Sequence, residues 1–222
     1  MCIIVVKPSG VKLPSKERLQ ICFNNNKDGA GFMYLKNKMV RIAKGYFTFD
    51  QFYNDLKEVA KKDVPVVMHF RIVSKGLKNA ENTHPFPVTD NDLFIKNQNV
   101  SCKVGIAHNG TISSPILTVS SGDSDTLTFA RDFLPLIVYD NPKYYEDKDN
   151  IKLIEKIIGG FNKLAILSND GHIEMINHFI EDDGCFYSNY TYEIHTYNEY
   201  PKNYTGLFVR DKNYYDDYDK YY

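Results

Sequence analysis

The chain has 222 residues, of which 43% are hydrophobic and 25% are charged, and its 27 basic side chains nearly balance 28 acidic ones. This balance argues against an intrinsically disordered protein and against a nucleic-acid binder held by bulk charge. The length suits one large domain, which we expect over residues 1–197. Residues 198–222 are rich in Tyr and Asp and lack hydrophobic periodicity, so we expect them to form a separate tail.

The four cysteines, at positions 2, 22, 102 and 185, have no metal-binding spacing and are too sparse for a disulfide scaffold. The apolar run at 2–6 is too short for a signal peptide or a membrane span. We therefore expect a reduced, cytoplasmic protein without a membrane partner. On that basis, the Asn-X-Thr sequons at Asn109, Asn189 and Asn203 are interpreted as accidental.

Hydrophobic periodicity and turn residues predict antiparallel runs of strands with helices between them. This order argues against a parallel, doubly wound sheet. In chain order, the pattern predicts a strand at 2–6, a helix at 15–23 capped by Ser15, strands at 31–35 and 39–43, a helix at 48–60 with a Thr48/Gln51 capping box, strands at 64–73 and 104–112, helices at 123–138 and 149–158, and a hairpin at 163–179.

Cys2 becomes the first residue once the initiator Met is removed, and its small side chain favours that removal. Its α-amine, with a pKa of about 7.7 to 8, can then serve as the base that activates its own thiol, which has a pKa of about 8.5. No separate catalytic His is needed for this arrangement. The alternative is that a Cys in an apolar strand simply packs in the core.

Five short motifs follow Cys2 in the chain. They are Asp28-Gly29-Ala30-Gly31, His69-Phe70-Arg71-Ile72-Val73-Ser74-Lys75-Gly76, Asn82-Thr83-His84-Pro85-Phe86, His108-Asn109-Gly110 and Ser124-Asp125-Thr126. With an N-terminal Cys ahead of them, these motifs in this order resemble the class II glutamine amidotransferases, which belong to the N-terminal nucleophile hydrolases.

The resemblance implies a stand-alone glutaminase domain. Cys2 would attack the side-chain amide of L-glutamine, release ammonia and leave a γ-glutamyl thioester that water hydrolyses to glutamate. Asn109 and Gly110 match the positions of the oxyanion donors, and an amide NH2 beside a backbone N–H supplies two such donors. The alternative for this Asn-Gly dipeptide is a plain hairpin turn.

Arg71 and Asp125 match the positions that bind the α-carboxylate and the α-ammonium of glutamine, and Ser74 matches a secondary substrate contact. Arginine suits a carboxylate because its planar fork bonds both oxygens. Taken alone, Arg71 also fits a strand-end ion pair, and Asp125 a helix cap. Ile3 replaces the Gly that most often follows the family's Cys, which indicates different packing around the nucleophile.

The implied fold is α+β, a four-layer sandwich of two antiparallel sheets flanked by helices. We expect no cofactor and no metal, because His69, His84 and His108 lack the spacing of a ligand set. The expected partners are L-glutamine and a separate synthase or acceptor protein for ammonia. Two alternatives stay open: an amidase of the same type that acts on another amide or γ-glutamyl compound, and a catalytically silent interaction module on the same scaffold.

Overall fold

A computed structural model describes residues 2–74, 76–139, 141 and 143–193. The predicted tail at 198–222, the boundary at 197 and the initiator Met lie outside these residues. The described strands pair only antiparallel. They are β1 (Ile3–Lys7), β2 (Ala30–Lys36), β3 (Met39–Tyr46), β4 (Val66–Phe70), β5 (Phe86–Pro87), β6 (Asn99–Cys102), β7 (Val104–Asn109), β8 (Lys163–Ser168), β9 (Ile173–Ile176), β10 (Ile180–Asp182) and β11 (Cys185–Tyr187).

The strands form two sheets. The larger sheet has the order β10-β11-β1-β4-β2-β3-β6, and the smaller has the order β5-β7-β8-β9. The helices are α1 (Lys16–Asn25), α2 (Phe49–Val59), α3 (Asp92–Lys96), α4 (Asp125–Thr128), α5 (Pro135–Val138) and α6 (Lys148–Ile158), with a π-helical turn at Phe129–Phe133 and a 3-10 turn at Tyr144–Glu146.

Three apolar layers hold the elements together. Along β1, Ile3 and Val5 pack with α1 and α2 on the outer face of the larger sheet, whereas Ile4 and Val6 face the smaller sheet. A third cluster packs α4, α5 and α6 against the outer face of the smaller sheet. Both faces of β1 are therefore covered, which explains why its sequence is continuously apolar rather than alternating. The predicted α+β class and four-layer sandwich are confirmed.

The predicted helix at 123–138 is broken in the structure. It consists of α4, the π-helical turn and α5, and the Leu134 amide donates to the Phe129 carbonyl, five residues back. Pro135 explains the break, because its nitrogen has no proton to donate and its ring crowds the preceding turn. The periodicity extends through this region because all three pieces turn an apolar face to the same sheet.

Other boundaries also differ from the predicted ones. Strands β4 and β7 end at Phe70 and Asn109, short of the predicted 73 and 112, because the chain turns there into polar loops. Thr48 precedes α2 as predicted, but its hydroxyl donates to the side chain of Gln51 at 2.8 Å instead of completing a capping box with the backbone. Hairpin β10–β11 was not predicted, although its Asp183-Gly184 turn is a recognised signal for one.

None of the helices in the described part of the chain combines the length and the apolar character that a membrane span requires. Among the same residues, no group of three His, Cys, Asp or Glu side chains is arranged to hold a metal ion.

Candidate active site

The ends of several strands meet at one end of the sandwich. Cys2 precedes β1, Arg71 follows β4, and Asn109 is the last residue of β7. Ile3 pairs with Phe70 in the antiparallel ladder, so Cys2 and Arg71 leave the larger sheet at the same edge. The smaller sheet brings Asn109 to this end, since the neighbouring His108 carbonyl accepts a hydrogen bond from the ring of His69 at 3.0 Å.

Cys2 is half-buried, and its sulfur contacts the backbone of Ile72. Sγ lies 3.3 Å from both the Ile72 amide nitrogen and the Ile72 carbonyl oxygen. Burial raises the pKa of the Cys2 thiol, while the hydrogen bond from Ile72 and the charge of Arg71 act in the opposite direction. A thiol with a raised pKa is protonated at neutral pH, so it needs a base before it can act as a nucleophile.

Arg71 is 3% exposed, and its Nη1 donates to the Leu77 carbonyl at 2.9 Å. Burial lowers the pKa of the guanidinium, and the negative charges of Asp28, Asp125 and an ionised Cys2 sulfur raise it. An arginine keeps its proton in proteins despite such a shift. Arg71 is therefore a buried cation whose electrostatic neighbours are the candidate nucleophile and two carboxylates.

Asp28 holds the segment that carries Arg71. Its carboxylate accepts from the Val73 amide at 3.0 Å and forms an ion pair with Lys78 at 2.6 Å. Its own amide donates to the Arg71 carbonyl at 2.8 Å. These contacts lower the pKa of Asp28, chiefly through Lys78 and the Val73 amide, so the loop is held by an ionised carboxylate.

Asp125 is 5% exposed and begins α4. Its Oδ2 accepts from the Ile112 amide at 2.6 Å, and its Oδ1 accepts from the Thr126 amide at 2.8 Å. The helix cap is Ser124, whose hydroxyl accepts from the Leu127 amide at 3.1 Å. The alternative of Asp125 as the cap is therefore wrong, and its Oδ2, which accepts from the Ile112 amide, retains a further lone pair for a ligand.

Asn109 is 5% exposed, and its Nδ2 donates to the Ser188 hydroxyl at 3.0 Å. Gly110 follows with φ of +137°. Ile112 does not continue the strand, and β7 pairs with β5 and β8 rather than with the residues just after the Asn-Gly dipeptide. The dipeptide is thus a strand end, and the alternative of a simple hairpin turn is wrong.

His108 connects both halves of this arrangement. Asn162 donates through Nδ2 to the Ile158 carbonyl, so its Oδ1 faces His108 Nε2 at 2.9 Å and requires a proton there. His108 Nδ1 then accepts from the Thr126 hydroxyl at 2.8 Å. Burial lowers the pKa of His108, which favours this neutral form.

Asn82 links two loops beside the site. Its Oδ1 accepts from the Ser124 amide at 2.8 Å, and its Nδ2 donates to the Gly122 carbonyl at 2.9 Å and to the Asn79 side chain at 3.0 Å. The loop after Arg71 is thereby tied to the start of α4. Ser74 lies exposed in the loop after Arg71.

Five polar residues of this region were assigned no catalytic or substrate-binding role from the sequence: Asn82, His108, Asn162, Ser188 and Asn189. Asn82 and His108 lie inside the quoted motifs, and that position was the sequence signal by which they could have been found. Nothing in the local sequence marks Asn162 or Ser188, and Asn189 was marked only by its Asn-X-Thr sequon. Their contacts join residues 54 to 187 positions apart, and such pairs are visible only in the folded chain.

No protein-family model matches this chain, and no curated protein does. Among solved structures, glutamine phosphoribosylpyrophosphate amidotransferase from B. subtilis, complexed with ADP and GMP, is similar at 13% identity and a TM-score of 0.47, over 76% of this chain and 35% of that one. A structure described as the allosteric regulatory enzyme of purine biosynthesis is similar at 15% identity and a TM-score of 0.49, over 76% and 36%.

This chain thus spans about a third of the length of either protein. The assignment of the four-layer fold rests on the sheet order and the three apolar layers described above.

Proposed function

We propose that this chain hydrolyses the side-chain amide of L-glutamine to glutamate and ammonia, with Cys2 as the nucleophile. The observation that carries the proposal is the set of charges around Arg71. Arg71 is a buried guanidinium, and against the lowering effect of burial its pKa is raised by the charges of the Asp28 and Asp125 carboxylates and of an ionised Cys2 sulfur. Glutamine carries both a carboxylate and an ammonium at its α-carbon, so a fixed cation and a fixed anion next to a nucleophile suit it.

The first step forms a thioester. After removal of the initiator Met, the free α-amine of Cys2 takes the thiol proton, which the raised pKa of the thiol makes necessary. The sulfur attacks the amide carbon, and the carbonyl oxygen becomes an oxyanion that accepts from the Asn109 side chain and the Gly110 amide. Collapse of this intermediate breaks the C–N bond. The leaving nitrogen takes a proton from the α-ammonium group of Cys2 and departs as ammonia.

The second step releases glutamate. Water loses a proton to the same α-amine and attacks the thioester carbon, and the second tetrahedral oxyanion uses the same two donors. When it collapses, the C–S bond breaks, and the α-ammonium returns its proton to the sulfur. The thiol and the amine are then restored. Ammonia passes in this proposal to a separate synthase or acceptor protein.

The proposal is tested first by the intact mass of the purified protein before and after exposure to an electrophilic glutamine analogue. We expect loss of the initiator Met and a single adduct on Cys2 that excess glutamine suppresses. Cys2→Ala should abolish both the adduct and glutamate formation. Cys102→Ala is the matched control, because Cys102 is buried against Val40 in the strand pair β3–β6 and should leave both intact.

Glutamate formation by Cys2→Ala at the wild-type rate would contradict the proposal. A Cys2 adduct that other amides suppress as well as glutamine does would favour the broader amidase. A retained Met with neither adduct nor glutamate formation would favour the silent interaction module.

A further inference from the structure

Two consecutive residues after β11, Ser188 and Asn189, contact both the candidate nucleophile residue and the candidate oxyanion donor. Their exposed fractions are 6% and 8%. Neither residue belongs to the five motifs, so any role for them is inferred from the structure.

Ser188 leaves the β1–β11 ladder in an unusual way. Beyond the Val5–Tyr187 pair, the Ser188 amide donates to the Ile4 carbonyl at 3.0 Å, as an antiparallel partner does. The returning bond differs, because the Ile4 amide donates to the Ser188 hydroxyl at 2.9 Å. The side chain of Ser188 is thereby locked against the first strand, two residues from Cys2.

The same hydroxyl accepts from Asn109 Nδ2 at 3.0 Å. One oxygen therefore joins β1 of the larger sheet to the end of β7 in the smaller sheet. One N–H of the planar Asn109 amide is held by Ser188, and its second N–H is left for an oxyanion. If the amide were turned by 180°, the Ser188 hydroxyl would donate to its oxygen instead, so the hydroxyl holds the amide plane in either orientation.

Asn189 fixes the backbone of the nucleophile residue. Its Nδ2 donates to the Cys2 carbonyl at 2.6 Å, and its Oδ1 accepts from the Thr191 amide at 3.0 Å and the Thr191 hydroxyl at 2.7 Å. Cys2 precedes the β1–β4 ladder, which starts at Ile3, so the Asn189 side chain holds a carbonyl that lies outside the strand pairing. Both ends of the Asn189 amide are used, which explains this Asn-X-Thr sequence as a structural motif.

We propose that Ser188 and Asn189 are positioning residues that hold the oxyanion donor Asn109 and the nucleophile Cys2 at a fixed separation. This inference rests on the proposed glutaminase activity. The two groups belong to different sheets, so packing alone would leave their relative position free to shift by fractions of an ångström. Oxyanion stabilisation requires donors already at hydrogen-bond distance from the developing charge.

The test compares kcat and KM for glutamine in Ser188→Ala, Ser188→Thr and wild-type protein. We expect Ser188→Ala to lower kcat by roughly tenfold, as for partial loss of an oxyanion donor, with KM little changed because Arg71 and Asp125 are untouched. Ser188→Thr, which keeps the hydroxyl, should restore most of the rate. Ser168→Ala is the matched control: Ser168 is 1% exposed, and its hydroxyl lies 3.3 Å from the Tyr144 hydroxyl at the far end of β8.

A double-mutant cycle separates positioning from a merely structural role. If Ser188 acts through Asn109, then Ser188→Ala should have no further effect on kcat in the Asn109→Ala background. Two fully multiplicative effects would overturn the inference, as would a wild-type kcat in Ser188→Ala alone.

Asn189 is tested through the reactivity of the Cys2 thiol toward iodoacetamide, which needs no oxyanion donor. We expect Asn189→Ala to change this alkylation rate by several-fold and Ser188→Ala to leave it unchanged. The Asn189→Ala variant also carries the test if Ser188→Ala does not fold. Unchanged alkylation and unchanged kcat in Asn189→Ala would remove Asn189 from the inference.

Wild-type protein without glutaminase activity would overturn the proposed function, whereas active wild type with an equally active Ser188→Ala would overturn only the positioning role of Ser188.

Discussion

At Gly110, two independent constraints act on one residue. Its φ of +137° lies in a region that side chains rarely adopt, and an added β-carbon would overlap Oδ1 of Asn162. Asn162 has little room to withdraw, because it is hydrogen-bonded to His108 and to the Ile158 carbonyl. The backbone amide proposed as an oxyanion donor therefore lies in a position that only glycine fits.

We expect Gly110→Ala to lower the free energy of unfolding by about 2–4 kcal/mol, from backbone strain and displacement of Asn162. Gly10→Ala is the matched control, since Gly10 also has a positive φ, +85°, but an added β-carbon there meets nothing within 4 Å. It should lower the same free energy by only about 1 kcal/mol. Equal effects in urea unfolding would show that the contact with Asn162 is unimportant.

Among the elements, α4 joins the proposed ammonium-binding carboxylate to the neighbouring sheet. Asp125 starts this helix, and Thr126 donates to His108 at 2.8 Å. His108 belongs to β7 and continues the connection to Asn162, beside Gly110. A helix of four residues has little stability of its own, so these side-chain contacts decide where Asp125 lies.

Thr126→Val should raise KM for glutamine by roughly fivefold, equivalent to ~1 kcal/mol of binding. Its physical reason is that α4 loses its hydrogen bond to His108, and Asp125 shifts with the helix. The control is Thr128→Val in the same helix, because the Thr128 hydroxyl is buried without a partner in the described structure. Removing that hydroxyl should leave KM unchanged and maintain or raise the melting temperature. Equal KM values for both variants would contradict the role assigned to the Thr126–His108 bond.

For the molecule as a whole, the layer beneath the site contains three buried histidines. His69 stacks on His84 with ring centroids 4.2 Å apart, and His84 Nδ1 accepts from the His108 amide at 3.2 Å. Burial lowers the pKa of His69 to about 3 and that of His84 well below its ordinary value, with the charge of Arg71 acting in the same direction on both. The sheets are therefore joined through neutral rings.

These histidines make stability depend on pH. A histidine with a lowered pKa in the folded state stays neutral while the unfolded chain takes up protons below about pH 6.5, so stability falls as the pH falls. His69 alone should account for about 2 kcal/mol between pH 6.5 and 5. We expect the urea midpoint to fall over this range, which lies above the titration of most carboxylates.

The matched variants are His84→Asn, which keeps an acceptor for the His108 amide but cannot titrate, and His178→Gln at an exposed position. His84→Asn should flatten the pH dependence of the midpoint, and His178→Gln should leave it as in wild type. An unchanged dependence in His84→Asn would indicate that His84 takes up its proton over the same pH range in the folded and the unfolded protein, contrary to a lowered pKa.

Local patterns were sufficient for much of the fold. The run at 2–6, the Ser15 cap and the hairpin around Asp170-Gly171 all correspond to observed elements, β1, α1 and β8–β9. Each depends on neighbours within a few residues, which the sequence displays directly. The break at Pro135 and the hairpin at Asp183-Gly184 also have local signals, but the surrounding apolar periodicity and the Tyr-rich composition obscured them.

The sequence by itself determined which residue types are available for chemistry: a Cys at position 2, an Arg after a buried strand, and an Asn-Gly pair. Only the tertiary structure decided what surrounds them. It brought Cys2 and Arg71 to the same end of the larger sheet, made Ser124 the helix cap, and joined Asn109 to Ser188. The physical reason is that strand ends far apart in the chain meet where antiparallel strands start and stop together, and contacts across that edge leave no periodic trace in the sequence.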